Sequence, residues 1–274
     1  MRAFPILILL ALFSFKKGGD SDAKDTASEE ITTEEAASDE STATAESGGI
    51  TLVPMPATPS YPGAAITEMT FENGKFNFTI DGGQDNYTLG TQTPNADQLM
   101  CANSAKGQHI HLIVDNEPYA AKYESSFDYE ISEDSHYILA FLSRSFHESI
   151  KHEGASVAIE AKVSNNSLMR QAPIEQPMLF YSRPKGTYTG KDTENIMLDF
   201  YPVNAELGNG YQVEVLVDGQ KFMVDKWQPY YIKGLGMGEH KIMLTLLDDE
   251  GNVVNTPLNP VTRMIKLAED KGDS

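Results

Sequence analysis

The chain has 274 residues, 40% of them hydrophobic, which is enough for one large domain or two domains of ordinary size. Its 40 acidic and 21 basic side chains give a formal net charge of -19, and such a surface repels a polyanion, so a bulk nucleic-acid binder is excluded. The single cysteine, Cys101, excludes an intramolecular disulfide and an all-cysteine zinc site.

Residues 1–17 have the pattern of an export signal. Arg2 precedes an apolar run, residues 4–15, which has the length of a signal-peptide core and is too short to span a bilayer. We therefore expect an exported protein in the periplasm or at the cell surface, associated with a membrane, such as the outer membrane, only through this segment. The start is similar to that of bacterial envelope lipoproteins, but it lacks their lipid-bearing cysteine, so a lipid anchor is not expected.

Residues 18–63 are predicted to be a disordered tether. Asp, Glu, Ser, Thr, Ala and Gly make up nearly all of the first part, and such a segment buries too little apolar area to offset the entropy lost on ordering. The end of the segment, PMPATPSYPG (54–63), is typical of a proline-rich stiffener before a domain. Calcium buffering by the acidic residues is the less favoured alternative to a spacer.

From residue 64 onward the sequence indicates short strands divided by turns. Asn73-Gly74 lies between two alternating runs, which predicts a β-hairpin. HIHLIVDNEPY (109–119) and YQVEVLVDGQKF (211–222) each predict a strand, a turn and a second strand. One short helix is predicted within residues 143–155 (SRSFHESIKHEGA).

Two pairs of these residues match at a nearly constant offset. Asp115 and Asp218 are 103 residues apart, and His136 and His240 are 104 apart. A period of about 100 residues indicates a duplicated domain, and about seven short strands per copy is typical of an immunoglobulin-like β-sandwich. The predicted fold class is therefore all-β, with two tandem immunoglobulin-like sandwiches.

The predicted sandwiches cover residues 64–165 and 175–268. The second copy resembles the immunoglobulin-like or fibronectin-type modules of exported bacterial proteins, in which a Gly-Glu-His start (238–240) precedes an alternating strand and an Asp-Asp-Glu-Gly-Asn turn (248–252). This resemblance implies a fold and no chemistry. Because His136 and His240 start the same strand in both copies, we expect them to share a packing or turn-capping role.

The two copies differ in chemistry on one strand. The residues predicted to face the core are Ile110, Leu112 and Val114 in the first copy and Val213, Val215 and Val217 in the second. Alternation then places His109 and His111 on the outer face of the first copy, where the second copy has Gln212 and Glu214. Two histidines at i and i+2 lie about 6.5–7 Å apart at the backbone, a spacing at which both imidazoles can bind one metal ion.

His109 and His111 are therefore predicted to form a metal site, with Met100, Cys101, His147 and His152 as candidate further ligands. Sulfur together with imidazole suits copper, whereas imidazole together with carboxylate suits zinc. The alternative is structural, with the histidines packed beside aromatic residues and hydrogen-bonded to the backbone.

A second candidate site lies in the predicted helix. Ser145 can cap its N-terminus, with Glu148 completing a capping box. Arg144, Ser145, His147 and Lys151 then bring donors and positive charge together, which suits an anion or a carboxylate. In the alternative interpretation, Arg144 and Glu148 pair with neighbours and fix a loop.

Two long motifs carry a closer resemblance. CANSAKGQHIHLIVDNEPYAAKYE (101–124) and HYILAFLSRSFHESIK (136–151) are similar to a group of largely uncharacterised envelope lipoproteins of Gram-negative bacteria, some of which are described as phosphopeptide-binding. The resemblance covers mainly the first sandwich. It implies that Arg144, Ser145, His147 and Lys151 would hold a phosphate.

The sequence predicts a binding or structural protein and not an enzyme. It contains no nucleophile elbow, Walker loop, dinucleotide glycine pattern or His-Glu-x-x-His motif. Trp227, Tyr230 and Tyr231 are a weaker candidate for an aromatic platform that binds a glycan or peptide. The ligands that stay open are copper or zinc, a phosphopeptide or other anionic peptide, a carbohydrate, and another envelope protein.

Overall fold

The computed structural model describes residues 49–270, so the predicted export signal and residues 18–48 of the predicted tether lie outside the described residues. The described part of the chain consists of β-strands and of two short 3₁₀ helices, Ala96–Leu99 and Gly190–Thr193. Neither helix of this part is long and apolar enough to cross a membrane.

The first sandwich has eight strands. In chain order they are β2 (Ala65–Glu72), β3 (Lys75–Asp81), β4 (His109–Val114), β5 (Ala120–Lys122), β6 (Ser126–Asp128), β7 (Asp134–Ser143), β8 (Ser156–Ser164) and β9 (Ser167–Pro173). They form a three-stranded sheet, β2-β3-β6, and a five-stranded sheet, β5-β4-β7-β8-β9. Asn73 and Gly74 both have positive φ in the β2–β3 turn, so the predicted hairpin is confirmed. One core, including Phe71, Phe76, Ile110 and Ile138, joins the two sheets.

The second sandwich has nine strands. They are β1 (Thr51–Pro54), β10 (Met178–Arg183), β11 (Gly186–Thr189), β12 (Ile196–Val203), β13 (Tyr211–Val217), β14 (Gln220–Val224), β15 (Tyr230–Lys233), β16 (Gly238–Asp248) and β17 (Val261–Ala268). The sheets are β1-β15-β12-β10 and β11-β17-β16-β13-β14. Val213, Val215 and Val217 lie in the core between them, as predicted.

The tether prediction is wrong at its C-terminal end. β1 pairs antiparallel with β15, and Leu52 is buried in the core of the second sandwich. Tyr61 and Ala64 then belong to the core of the first sandwich. The chain therefore contributes a strand to the second sandwich before it builds the first, and the first sandwich extends past residue 165 to the end of β9.

The two sandwiches share a strand order. β5-β4-β7-β8 in the first corresponds to β14-β13-β16-β17 in the second. At the start of the equivalent strands, Nδ1 of His136 lies 2.6 Å from a carboxylate oxygen of Asp115, and Nδ1 of His240 lies 2.6 Å from one of Asp218. An all-β fold with two immunoglobulin-like sandwiches is confirmed, and the two histidines have the same structural role.

The sandwiches pack against each other through outer sheet faces. A buried apolar cluster joins Ile113, Leu139 and Phe141 of the first sandwich to Phe180 and Tyr201 of the second. This contact explains why β4 and β7 are buried on both faces, since one face packs into the first core and the other onto β10 and β12.

Candidate metal centre

β4 directs two histidines at the second sandwich. Ile110 and Leu112 point into the first core, so the alternation of a strand places His109 and His111 on the opposite face. This face is covered by the second sandwich, and both histidines are fully buried. The predicted orientation is therefore correct, although the face is an internal contact and not a solvent surface.

Three imidazoles converge at this contact. Nε2 of His109 lies 2.9 Å from Nε2 of His111 and 3.0 Å from Nδ1 of His147. One ring nitrogen from each histidine falls within a group whose atoms all lie within 4.8 Å of one another. Two nitrogens bound to the same tetrahedral zinc ion at 2.0 Å would lie ~3.3 Å apart, so small movements of the rings would accommodate an ion.

The outward nitrogens of the two strand histidines are held by other groups. Nδ1 of His109 lies 2.8 Å from the Gly107 carbonyl oxygen, to which it can only donate, so in the neutral ring Nε2 carries the lone pair. Nδ1 of His111 lies 3.1 Å from Oγ of Ser182 on β10. Tying the outer nitrogen to a carbonyl or hydroxyl fixes ring orientation and tautomer, as is typical of metal-binding histidines.

His147 reaches the cluster from the turn after β7. Its backbone has φ of +74°, in the left-handed region that disfavours residues other than glycine. The turn after β16 has the same hydrogen bonding, and Gly251, with φ of +83°, is the residue equivalent to His147. A histidine has thus replaced the residue best suited to this conformation.

Aromatic rings enclose the three imidazoles. The Tyr119 ring stacks on His111 at 3.6 Å with an interplanar angle of 8°, and its hydroxyl lies 3.3 Å from Nδ1 of His147. The ring of Tyr123 lies 4.9 Å from that of His109, and the ring of Phe141 lies 4.9 Å from that of His111. These rings exclude water from much of the space around the convergent nitrogens.

The histidines are neutral at physiological pH. Burial lowers the pKa of His109 to about 4, and it holds the pKa values of His111 and His147 well below the ordinary value. Positive charge on Arg183 and Lys185 lowers all three further. Because metal ligation needs unprotonated imidazole, the cluster is in the state that can bind an ion without losing a proton.

Cys101 lies outside this group of ligand atoms. It is buried in a separate apolar cluster with Met55, Phe146 and Met197, and burial raises the pKa of its thiol to about 11. The thiol is therefore protonated at neutral pH and packs as a small apolar side chain. The structure does not place Cys101 among the ligands.

The predicted anion site has its donors engaged elsewhere. Residues 143–151 form a turn with a bridge between Ser143 and Ser149 and not a helix, so the predicted cap of Ser145 does not form. Nε and Nη2 of Arg144 donate to the Pro59 carbonyl, and Nη1 donates to Ser149 O at 2.8 Å. These contacts correspond to the alternative in which Arg144 fixes the loop.

Ser145 and Lys151 are engaged in the same way. Oγ of Ser145 accepts a hydrogen bond from the Thr93 backbone. Nζ of Lys151 lies 2.6 Å from a carboxylate oxygen of Asp199, which is fully buried on β12. Lys151 therefore joins the two sandwiches through an ion pair. His147 is the one residue of the predicted anion site that belongs to the metal cluster instead.

The predicted aromatic platform does not form a surface. Tyr230 and Tyr231 are both buried and, as neighbours on β15, they face opposite sides of the sheet. Trp227 donates from Nε1 to the Phe200 carbonyl at 2.9 Å and packs edge-on against Tyr201. The two tyrosines therefore offer no exposed stacking face, and Trp227 is half-buried against Tyr201.

Sequence reasoning missed the contributions of the second sandwich to the histidine cluster. Ser182 holds His111, and Lys185 lies against Tyr119. Both come from sequence positions about 70 residues away, and no motif marks them. One signal was present, because Ile113 and Phe141 are large apolar residues on the face assigned to solvent.

No protein-family model matches the sequence, and no curated protein is similar to it. Among solved structures, the fibronectin(III)-like modules of CbhA from Clostridium thermocellum are 19% identical, with a TM-score of 0.26 and coverage of 34% of this chain and 100% of that chain. The central fibronectin-III array of RIM-binding protein is 10% identical, with a TM-score of 0.26 and coverage of 81% and 71%. Likenesses this weak identify neither a family nor a ligand.

Proposed function

We propose that this chain is an exported, non-enzymatic binding protein that holds one transition-metal ion, copper or zinc, with His109, His111 and His147. The observation that carries the proposal is the convergence of one ring nitrogen from each of three neutral histidines, with His111 Nε2 and His147 Nδ1 at 2.9 and 3.0 Å from His109 Nε2. Export is supported by the signal-like residues 1–17.

The protonation of the cluster favours a binding role over simple packing. With Nδ1 of His109 donating to Gly107, the contacts of His109 Nε2 to His111 at 2.9 Å and to His147 at 3.0 Å require protons on His111 Nε2 and His147 Nδ1, because two lone pairs would repel. Each of these two histidines must therefore shift its proton to its other ring nitrogen before it can bind an ion. Ser182 then donates to His111 Nδ1. Since a hydroxyl also accepts, His111 can move its proton to Nδ1 and free Nε2 for an ion without becoming charged.

Burial argues against catalysis at the cluster. His109 and His111 are fully buried between the sandwiches and only His147 is partly exposed, so a bulky substrate has little access to an ion they would hold. A small ion can be held there without such access. The site therefore suits retention of a metal better than turnover of a substrate.

The test is titration of the metal-free full-length protein with copper and zinc by calorimetry. We expect one ion per chain in the wild type, no binding in the His109→Ala/His111→Ala variant, and unchanged binding in His152→Ala. His152 is a suitable control because its ring contacts only backbone carbonyls of Glu153 and Tyr61. Circular dichroism checks the fold of each variant. A dissociation constant weaker than about 0.1 mM for both metals, or binding that survives loss of both histidines, would contradict the proposal.

A further inference from the structure

We infer that the centre selects copper(I) over divalent ions such as Zn²⁺, and that Lys185 and Arg183 set this selectivity through their charge. The inference rests on the proposed function, because it concerns the identity of the ion that the three histidines hold. Two features carry it, the number of ligands and the charge beside them.

The ligand set has three members. Neither a carboxylate nor the thiol of Cys101 belongs to the group of convergent atoms in the described residues. Zn²⁺ in proteins almost always takes four ligands, the fourth being water where the protein supplies three. Copper(I), a closed-shell monovalent ion, is satisfied by two or three nitrogen ligands. Three imidazoles enclosed by aromatic rings therefore complete a copper(I) site and leave a zinc site one ligand short.

Tyr119 is the nearest oxygen that could fill the fourth position. Its hydroxyl lies 3.3 Å from Nδ1 of His147. Burial raises the pKa of this phenol well above its ordinary value, so it is protonated at neutral pH and a weak ligand.

The ammonium group of Lys185 is separated from His111 by the ring of Tyr119. Nζ of Lys185 donates to the Tyr119 carbonyl at 2.5 Å and lies 3.8 Å from the centre of the Tyr119 ring. The imidazole of His111 lies 3.6 Å from the same ring centre, parallel to it. Because both groups cannot occupy one face, the tyrosine ring is sandwiched between the ammonium group and the imidazole.

A second cation lies beside it. Arg183 follows Ser182 on β10, is only 6% exposed, and its buried Nε has no hydrogen-bond partner. Neither Arg183 nor Lys185 forms an ion pair within the described part of the chain; the positive charge of Arg183 is instead placed against the ring of Tyr188, at 5.5 Å. Asp199 lies opposite Arg183 on β12 but pairs with Lys151, so an ion entering the cluster meets two cations that form no ion pair of their own in the described residues.

Charge therefore discriminates between the ions. Coulomb repulsion is proportional to the charge of the entering ion, so a divalent ion is repelled twice as strongly as a monovalent one at the same position. A site that selects Zn²⁺ is expected to have acidic residues beside it, and the chain has many acidic residues elsewhere. Among the described residues at this contact, Arg183 and Lys185 form no ion pair, and the buried carboxylate of Asp199 is engaged by Lys151.

The test compares copper(I) and Zn²⁺ on the full-length protein. Copper(I) is titrated anaerobically under reducing conditions against a competing chelator, and Zn²⁺ by calorimetry. We expect copper(I) to bind stoichiometrically and Zn²⁺ to bind with a dissociation constant above about 10 µM. In Lys185→Met, Zn²⁺ affinity should rise about tenfold or more, and copper(I) affinity by about the square root of that factor.

Two controls isolate the charge. Lys185→Arg keeps the positive charge and should leave Zn²⁺ affinity unchanged. Lys233→Met removes another lysine that lies over a tyrosine ring, that of Tyr231, and should also have no effect. A Zn²⁺ dissociation constant below about 1 µM in the wild type overturns the inference even if Lys185→Met fails to fold. Equal Zn²⁺ affinity in wild type and Lys185→Met overturns it as well, whereas failure of both metals to bind the wild type overturns the proposed function itself.

Discussion

The turn after β7 and the turn after β16 have the same backbone hydrogen bonding, but they differ in burial. Each closes with a bridge, Ser143–Ser149 in the first sandwich and Leu247–Val253 in the second. The second turn contains Gly251 and is exposed over most of its length, whereas the first contains His147 and is largely buried. The backbone is thus common to both sandwiches, and the chemistry of the first turn comes from what covers it.

The neighbouring strands show the same difference. His109 and His111 occupy the positions that Gln212 and Glu214 hold on β13, facing away from the core. Glu214 lies beside solvent and pairs with Lys221 at 2.5 Å. On β4 this face is sealed by β10, so two imidazoles can be kept neutral and oriented. The comparison shows that the candidate site is a property of the contact between sandwiches and not of the sandwich fold.

The largest expected effect comes from breaking the contact that holds the first turn. Asp199 accepts hydrogen bonds from Lys151 Nζ at 2.6 Å and from the Ser149 backbone at 3.0 Å. Asp199→Ala leaves the Lys151 ammonium buried without its counterion, so we expect the free energy of unfolding to fall by about 3–5 kcal/mol in urea denaturation.

The equivalent charge removal in the second sandwich is the control. Glu214→Ala breaks an ion pair whose lysine is largely exposed, and it should cost less than about 1 kcal/mol. The double variant Asp199→Ala/Lys151→Met should recover a large part of the loss, because no unpaired charge then remains. Equal costs for Asp199→Ala and Glu214→Ala would mean that the first turn is not anchored across the contact.

The pH dependence of stability tests the difference between the outer face of β4, which is buried, and the outer face of β13. In the metal-free protein the pKa of His109 is lowered to about 4, and those of His111 and His147 are lowered as well. The unfolded chain therefore binds more protons below about pH 6.5, and stability falls as pH decreases from there towards 4. The shift of His109 alone corresponds to about 3 kcal/mol.

The measurement is urea denaturation at pH 7.5 and pH 4.5, with wild type compared with His109→Gln/His111→Gln. The glutamines resemble the uncharged Gln212 of the second sandwich, and the variant should lose at least about 2 kcal/mol less than wild type on acidification. A pH dependence shared by both proteins would show that carboxylates, and not the buried imidazoles, govern acid stability.

Much of the fold follows from local sequence. The Asn73-Gly74 turn and the alternating valines of β13 are determined by residues adjacent in the chain, and both were predicted correctly. β1 was not, because four residues without clear alternation become a strand only through pairing with β15 about 180 residues away. Nothing within Thr51–Pro54 reveals that partner.

The candidate site, like the fold, could be predicted only where it depends on residues close together in the sequence. The outward direction of His109 and His111 follows from the period of a strand, and the resulting cluster includes His147 as predicted. The metal ion stays a prediction. Ser182 and Lys185 could not be found, because their positions depend on how one sandwich docks on the other. The two interpretations of Arg144, anion binding and fixing of the loop, stayed open because sequence shows its charge but not the Pro59 carbonyl that takes up its donors.

The smallest expected effect concerns the backbone of the two turns. His147 has φ of +74°, and its equivalent Gly251 has φ of +83°. A residue with a Cβ atom is disfavoured in this region by about 1 kcal/mol, so His147→Gly should leave the metal-free protein as stable as wild type or stabilise it by up to about 1 kcal/mol, while weakening metal binding. Gly251→Ala should destabilise the protein by about 1 kcal/mol, because an alanine is strained at this positive φ. Thermal and urea denaturation of both variants measure this, with metal titration of His147→Gly alongside. Destabilisation of more than about 1 kcal/mol by His147→Gly would show that the imidazole is there to pack, whereas stability gained at the cost of binding is expected if a strained position is retained for a ligand.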